Sequence, residues 1–402
     1  MSVTFEPTRA TGLDRLDVFL DKAGHHYAIN RNTDFGPLDR SNISCLSPWL
    51  RSRVLTETEL LFAVLDRHGY QTAEKFIQEV AWRGYFKGWL EHRPGVWDRY
   101  QSDLRNLTDQ LAENSGLRHG YETACSGRTG IDAFDAWVKE LVADNYLHNH
   151  ARMWFASIWI FTLKLPWQLG ADFFMRHLLD GDPASNTLSW RWVGGLHTIG
   201  KTYLARADNI QRFTNGRFNP AGQLSTEAIP LQEPTLAEPV PPLLPALALP
   251  DTDYAWLLSE EDLSLPAGAQ PKLILSLDAM SKRSPLAVDQ KVLNFHARLR
   301  TDARQRHSQT ATDGGDISTA KALIERLKAE NICTVARYRW PTGPSAESWQ
   351  DIAPKLERSG ICVVEGVADY DRAIWPHASK GFFKVKKKLE PILTELGLLV
   401  TS

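Results

Sequence analysis

The chain has 402 residues, of which 43% are hydrophobic, so it is long enough for two domains with sizeable cores. Its net charge of −2 means that it lacks the overall basic charge that would indicate nucleic-acid binding. Its four cysteines form no CxxC pair, which argues against a zinc ribbon or a disulfide framework. No apolar run reaches membrane-spanning length and no basic-then-apolar signal opens the sequence, so we expect a soluble, cytoplasmic protein without a metal site or membrane contact.

The first third of the chain has a helical pattern. Residues 12–32 predict an amphipathic helix followed by a polar turn, and residues 72–92 predict a long helix that carries Glu79 and Trp82. Between them, Ser44 and Ser47 precede Pro48, an arrangement whose hydroxyls and free N–H groups suit a phosphate. Simple helix capping is the alternative for the serines, as a solvated side chain is for Glu79 and a core ring for Trp82.

The most informative stretch runs from His148 to Trp192. Its first part predicts a helix that is apolar nearly all round and therefore buried. Polar side chains in such a setting need partners, because an unpaired buried polar group is costly. Pairing between buried Arg and Asp would satisfy some of them, but it does not explain the whole set of polar and aromatic residues: Asn149, Arg152, Asp180, Asp182, Asn186, Trp190 and Trp192.

The composition changes after residue 220. Residues 221–270 hold eight prolines, eight acidic residues and no Lys or Arg, which indicates a solvated linker, although Tyr254, Trp256 and Leu257 could attach part of it to a neighbour. From residue 271 to 402, strand-like and helix-like segments alternate, which predicts a parallel sheet with crossover helices. We therefore predict a helical domain over 1–220, a linker over 221–270 and a smaller α/β domain over 271–402.

Several motifs of residues 12–220 resemble the DNA photolyase and cryptochrome family. The family shows YxxxRN, then TSxLSPYL, ELxWREFY, HNxxRM, DGDxxxN and WxW, and this chain has close counterparts in the same order. It departs at Ile43, where the family usually has Thr, and at Trp49 for Tyr. The family's α/β domain precedes the flavin domain, whereas here it follows, which suggests a domain-order swap or circular permutation.

The resemblance implies FAD as the cofactor, and it leaves a second antenna chromophore unknown. In the family's pocket, Asn186 would face flavin N5 and Asp180 the isoalloxazine edge. The implied cofactor-binding residues are Tyr27, Ser44, Leu46, Ser47, Asn149, Arg152, Asp180, Asp182 and Asn186.

The resemblance also implies a light-dependent lyase that repairs cyclobutane pyrimidine dimers in damaged DNA by electron transfer from excited reduced FAD. The residues expected to contact the dimer are Glu79, Trp82, Asn149, Met153 and Trp192. One alternative is a cryptochrome-type blue-light photoreceptor with a signalling partner, and another is a flavoprotein without a light role. His150 stands where photolyases often have Arg, which favours the alternatives.

For electron transfer to the flavin, the family's usual chain of rings would begin at Trp190 and continue to Trp167. Its customary surface member has no counterpart near Ser115. Trp154 or Trp159 could supply the exit instead, and buried aromatic packing is the alternative role for all of these rings.

Overall fold

A computed structural model describes residues 3–399, and in it a helical region precedes an α/β region. This class and this order confirm the coarse prediction. Of the helices in residues 3–399, none has the length and apolar composition needed to cross a membrane.

The helical region begins at residue 9, and its helices are α1 (Arg9–Leu20), α2 (His25–Asn30), α3 (Ser47–Arg51), α4 (Glu57–Glu91), α5 (Gly95–Glu113), α6 (Ser115–Cys125), α7 (Asp132–Asp144), α8 (Asn149–Ser157), α9 (Trp167–His177), α10 (Pro183–Val193) and α11 (Ala207–Phe213). A single π-helical stretch, Ile158–Thr162, continues α8. The predicted helix over 12–32 is therefore two helices.

Helix α4 is longer than the predicted helix over 72–92. A capping box at Thr56 and Glu59 starts it, because the Thr56 hydroxyl accepts from the Glu59 N–H while the Glu59 carboxylate accepts from the Thr56 N–H. Gly69, with φ of 68°, kinks it where a residue with a Cβ would be strained. After this kink the helix carries Glu79 and Trp82 on successive turns.

The α/β region consists of β1 (Ala255–Ser259), β2 (Leu273–Leu277), α12 (Gln290–Gln305), β3 (Thr312–Ile317), α13 (Ala320–Ala329), β4 (Thr334–Tyr338), α14 (Pro344–Arg358), β5 (Cys362–Gly366), α15 (Asp369–Ile374), α16 (Phe383–Lys386) and α17 (Leu389–Glu395). Short 3₁₀ turns occupy Met280–Arg283 and Trp375–His377. The five strands are all parallel, in the order β3-β2-β1-β4-β5.

One boundary of the predicted linker needs correction. Residues 255–259 lie within the predicted 221–270 linker but form β1, the central strand of the sheet. All five are buried, as expected for a parallel strand covered on both faces, and this burial outweighs the polar composition around them. The α/β region therefore begins upstream of residue 271, and residues 229–250 are the extended part of the connection.

The two regions share one hydrophobic core and a buried ionic interface. Trp49 of the helical region and Trp375 of the α/β region belong to the same cluster of buried apolar side chains. Beside it, the Arg51 guanidinium donates to the Glu261 carboxylate at 2.6 Å, and Lys87 Nζ donates to the other oxygen of that carboxylate at 3.2 Å. Glu261 is the second residue after the end of β1, so the carboxyl end of the central strand faces the helical region.

Candidate cofactor site

A cleft of about 320 Å³ opens between α2, α4 and α8. Its wall brings together five residues predicted for the site from distant parts of the sequence: Tyr27, Ser44, Glu79, Asn149 and Met153. The remaining lining residues are Arg31, Asn32, Ile43, Cys45, Tyr146, His150 and Phe213. A concave space lined by apolar rings and a few polar groups is typical of a small-molecule site.

Behind the cleft, Ser47, Arg152 and Asp180 form a hydrogen-bonded triad. The Ser47 hydroxyl donates to Asp180 Oδ2 at 2.5 Å, and Arg152 Nη2 donates to the same oxygen at 2.9 Å. Arg152 Nε donates to the Leu147 carbonyl at 3.0 Å, which fixes the guanidinium. Burial disfavours the charge on Arg152, but Asp180 and Tyr146 nevertheless raise the pKa of its guanidinium above the usual value.

The second oxygen of Asp180 tests whether this site fits a flavin. Asp180 is 8% exposed, and its Oδ1 has no hydrogen-bond partner among the residues that the structure describes. A buried carboxylate oxygen without a donor is uncommon in a folded protein. The edge of an isoalloxazine ring presents an N–H group, which would supply the missing donor. The residues present therefore fit the predicted cofactor.

Glu79 forms the polar wall of the cleft together with Arg31. Arg31 Nη1 donates to Glu79 Oε1 at 2.5 Å. Burial raises the pKa of the Glu79 carboxyl, and the Arg31 charge opposes this only in part. Burial likewise raises the pKa of Tyr27, so its phenol is neutral. The site thus holds a carboxyl group that takes up a proton more readily than a solvated glutamate does.

Two histidines organise the start of α8. The His148 ring caps the helix, since its Nδ1 accepts from the His150 N–H at 3.1 Å. The His150 ring stacks on Trp154 with centroids 4.0 Å apart, and its Nδ1 lies 2.8 Å from the Asn32 carbonyl. Burial lowers the pKa of both rings, that of His148 to about 4. Both are therefore neutral at physiological pH.

Asp182, Asn186 and Leu46 lie outside the lining of this cleft as far as residues 3–399 show. Asp182 caps α10 through the Ser185 N–H at 2.8 Å, and Arg83 and Lys87 approach its other oxygen at 3.5 Å. Burial opposes ionisation of Asp182, but the charges of Lys87, Arg83 and Arg51 hold its pKa well below the usual range.

Asn186 and Leu46 also have structural contacts. Asn186 Nδ2 donates to the Ala171 carbonyl at 2.8 Å, which ties α10 to α9. The Leu46 side chain is fully buried in the hydrophobic core. Asp182, Asn186 and Leu46 thus contribute to the structure around the site. Their predicted contacts with the cofactor stay predictions.

Two arginines, one from α3 and one from the α/β region, hydrogen-bond to the turn that carries Asp180. Arg51 Nε donates to the Gly181 carbonyl at 2.8 Å, and the Arg283 guanidinium donates to the same oxygen. A Cβ at position 181 would collide with the Arg283 guanidinium, so a larger residue there would displace this side chain. The sequence carries no signal for this contact, because Arg283 lies far from Gly181 along the chain.

The two tryptophans predicted to contact the dimer are engaged elsewhere. The Trp82 ring stacks on Phe382 of the α/β region, with centroids 3.8 Å apart and an interplanar angle of 13°. The Trp192 ring stacks on Tyr203 with centroids 5.4 Å apart. Neither tryptophan is part of the cleft lining drawn from the described residues.

The aromatic rings around Trp190 suggest a different order from the predicted one. Trp190 meets Trp159 edge to face at 6.2 Å, and Trp159 meets Tyr121 at 6.1 Å. Trp167 instead stacks on Tyr100 at 5.5 Å. The observed ring contacts thus lead from Trp190 through the π-helical stretch rather than to Trp167.

Some lining residues were missed by sequence reasoning. Tyr146 lies under the Arg152 guanidinium, 5.2 Å from its ring centroid, and an aromatic residue two positions before the HN motif was an available signal. Cys45 and Phe213 reach the cleft through folding of distant segments, which no local pattern shows. Within the described residues, no group of three or more His, Cys, Asp or Glu side chains is arranged to hold a metal ion.

Comparison with known proteins identifies the type of this domain. Residues 76–233 match the family model described as the FAD binding domain of DNA photolyase. The match confirms the resemblance found in the motifs and the cofactor predicted from it, FAD. This part of the chain is thus similar to the FAD-binding domain of DNA photolyase.

The relatives that this chain matches are named as photolyases. The deoxyribodipyrimidine photo-lyase of Streptomyces griseus is 35% identical over 42% of this chain and 38% of its own length. One from Thermus thermophilus is 34% identical over 48% of this chain and 43% of its own length. A crystal structure of a class III photolyase from Agrobacterium tumefaciens aligns with 27% identity and a TM-score of 0.43, over 52% of this chain and 43% of that one. The matched region spans less than half the length of these relatives.

Proposed function

We propose that this chain is a light-dependent flavoprotein that repairs cyclobutane pyrimidine dimers in DNA. The observation that carries the proposal is the cleft in which Tyr27, Ser44, Glu79, Asn149 and Met153 meet in front of the Ser47–Arg152–Asp180 triad. When bound, excited reduced FAD supplies one electron to the dimer and recovers it after the ring has split.

The side chains of the chain hold the cofactor and the lesion in place. Asp180 Oδ1 would accept the N–H at the flavin edge, and Ser47 and Arg152 orient the carboxylate through its other oxygen. The Glu79 carboxyl, which Arg31 holds in the wall of the cleft, forms a hydrogen bond to the edge of a pyrimidine. Asn149 is exposed at the cleft and offers its amide to the same base edge, while Met153 contributes an apolar contact. A dimer reaches such a cleft only after it has left the base stack.

A repair assay tests the proposal. Purified protein loaded with reduced FAD is mixed with an oligonucleotide that holds one thymine dimer, and loss of the dimer is followed under blue light and in the dark. We expect repair only in the light, and a reduction of about five- to 150-fold in Glu79→Ala, because the loss of one hydrogen bond to a buried group costs about 1–3 kcal/mol. Glu122→Ala, at an exposed position, is the matched control. Wild-type protein that binds FAD but leaves the dimer intact in the light would exclude this function.

A cryptochrome-type photoreceptor is the second candidate, and one observation favours it. The Trp82 ring, which the proposed repair function needs against the dimer, is stacked on Phe382 of the same chain. A photoreceptor requires the flavin and a signalling partner but no lesion. Light-driven reduction of FAD without any loss of dimers would support this candidate over repair.

A further inference from the structure

The segment after β5 covers the part of α4 that carries Trp82. Trp375 is fully buried against Gly88, where a Cβ would lie 2.8 Å from both the Trp375 ring and the Ala378 side chain. One turn earlier, a Cβ at Gly84 would lie 3.1 Å from Tyr370 and Ile374. The family pattern ELxWREFY has Glu at the position of Gly84. Two glycines four residues apart, Gly84 and Gly88, therefore allow residues 370–378 to pack closely against this surface of α4.

Polar contacts hold the same segment at several points. His92 Nε2 lies 2.9 Å from the Trp375 carbonyl, and Arg93 Nη2 donates to the Ser379 carbonyl at 2.9 Å. Beyond Phe382, Lys386 Nζ lies 3.4 Å from the Glu74 carboxylate. The segment is thus fixed to α4 both before and after Phe382.

Between these points Phe382 takes the face of the Trp82 ring. Its ring is nearly parallel to the indole, at a centroid distance of 3.8 Å, and the side chain is 6% exposed. It also meets Tyr85 edge to face at 5.6 Å. A nucleobase stacks on an indole with this same parallel geometry. Phe382 and an unstacked base therefore compete for one face of Trp82.

The surroundings of Phe382 offer a nucleic acid a place to approach. Phe383 is 77% exposed, and around it Lys380, Lys384, Lys387 and Lys388 are exposed. Gly381, directly before Phe382, is exposed, and a Cβ there would meet no atom within 4 Å. Lysines next to an aromatic ring suit the phosphates and bases of single-stranded DNA.

We infer that the Phe382 ring occupies the place on the Trp82 ring where a nucleobase would stack. A base extruded from DNA then binds there only by displacing Phe382. This inference rests on the proposed function, since it concerns how a lesion reaches the site. Residues around Phe382 then control access: the lysines hold the DNA strand, and release of the Phe382 ring opens the indole face. The closed state protects Trp82 in the absence of DNA.

The stack itself is tested without DNA. The FAD-loaded protein is labelled with 5-fluorotryptophan, and the ¹⁹F resonance that disappears in Trp82→Phe is assigned to Trp82. Phe382→Ala is expected to shift this resonance because the ring current of Phe382 is lost, whereas Phe383→Ala, at the exposed neighbour, leaves it in place. An unmoved Trp82 resonance in Phe382→Ala overturns the inference. Phe382→Leu keeps an apolar side chain and gives the same readout if the alanine variant does not fold.

Competition with a base is tested by binding in the dark. We expect Phe382→Ala and Phe382→Leu to bind a single-stranded oligonucleotide with one thymine dimer about two- to tenfold more tightly than wild type, since one aromatic stack no longer has to be broken. Phe383→Ala should bind no more tightly than wild type. Equal or weaker binding by the Phe382 variants contradicts the inference. Tighter binding without repair in the light would uphold the inference and reject the proposed function, so the two failures are distinguishable.

Discussion

Asp180 connects the cofactor cleft to the body of the helical region. One of its carboxylate oxygens accepts from Ser47 and Arg152, and the other has no donor among the described residues. The carboxylate is thus positioned through one oxygen, while the other is buried without a donor among the described residues. Its orientation is set before any ligand arrives, which reduces the entropy that binding must overcome.

Replacing Asp180 by Ala is expected to weaken FAD retention by about 1–3 kcal/mol, because the flavin edge loses a buried acceptor and Arg152 loses its counter-ion. Dissociation of FAD, followed by the rise in flavin fluorescence on dilution, measures the change. Asp208→Ala is the control, since the Asp208 side chain is 75% exposed. Equal retention in the two variants would mean that Asp180 does not contact the cofactor.

His148 makes the helical region sensitive to acid. Burial lowers its pKa from 6.5 to about 4, with Asp34 opposing this shift and His150 and Arg152 adding to it. The unfolded chain therefore binds the proton more readily than the folded one, so stability falls as the pH drops from about 6.5 towards 4. Protonation also removes the Nδ1 lone pair that caps α8.

We expect His148→Asn to reduce the loss of stability between pH 6.5 and 4, because Asn caps a helix without titrating. Urea unfolding at several pH values gives the slope of the free energy of unfolding against pH. His26→Asn, at an exposed position, should leave that slope unchanged. A slope in His148→Asn as steep as that of wild type would assign the acid sensitivity to other groups.

At the residue scale, the sequence indicates which polar side chains could form a site but not which residues they contact. Asn149 and Arg152 stand out because they are polar residues at the start of an apolar helix, and Asp180 stands out in a DGD turn. The contacts of Trp82 with Phe382 and of Gly181 with Arg283 join residues that are distant along the chain. A local pattern carries no information about such pairs.

At the scale of elements, the π-helical stretch after α8 determines which rings meet. It places Trp159 against Trp190, with Gly170 of α9 between them: a Cβ there would collide with the Trp190 ring and approach the Trp159 ring to 2.9 Å. Trp167, at the start of α9, stacks on Tyr100 of α5. Rings in contact exchange electrons more readily than rings separated by other groups.

We therefore expect Trp190→Phe to abolish photoreduction of FAD, and Trp159→Phe to slow it more than Trp167→Phe does. Transient absorption after a blue flash follows the flavin and the oxidised rings directly. Trp340→Phe, in the α/β region, is the control, since Trp340 packs on Trp349. Unchanged kinetics in Trp159→Phe together with slow kinetics in Trp167→Phe would restore the predicted order.

Strands were predicted well where their flanks are regular and missed where they are not. The segments that became β2, β4 and β5 stand between helical patterns, and the alternation identifies them. The segment that became β1 follows a proline-rich, acidic stretch instead of a helical pattern. Its backbone pairs with β2 and β4, which are later in the sequence. The interpretation of the α/β region as a relocated photolyase domain stays a prediction.

At the scale of the whole molecule, buried charges join the two regions. Arg53, 5% exposed, contacts Glu57 at 3.0 Å, Asp262 at 3.1 Å and Asp371 at 2.7 Å. These three carboxylates come from α4, from the loop after β1 and from α15. One guanidinium thus holds three elements of both regions together.

Arg53→Ala is expected to lower the free energy of unfolding by about 3–5 kcal/mol, because it leaves buried carboxylates without a counter-ion. Urea unfolding followed by circular dichroism gives this value. Arg67→Ala removes an exposed pair with Asp21, whose side chains are 57% and 75% exposed, and should change stability by less than about 1 kcal/mol. Similar losses in the two variants would show that the buried cluster does not stabilise the fold.

The contact of Arg283 with Gly181 has a consequence for the order of events during synthesis. A chain is made from its N-terminus, so the turn that holds Asp180 leaves the ribosome about a hundred residues before the side chain that supports it. The helices can form early, but the Gly181 carbonyl lacks its Arg283 donor until the 3₁₀ turn at Met280–Arg283 has emerged and the sheet has docked. Firm capture of FAD is then a late step, and a ribosome stalled before residue 283 would carry a helical region that loses its flavin quickly.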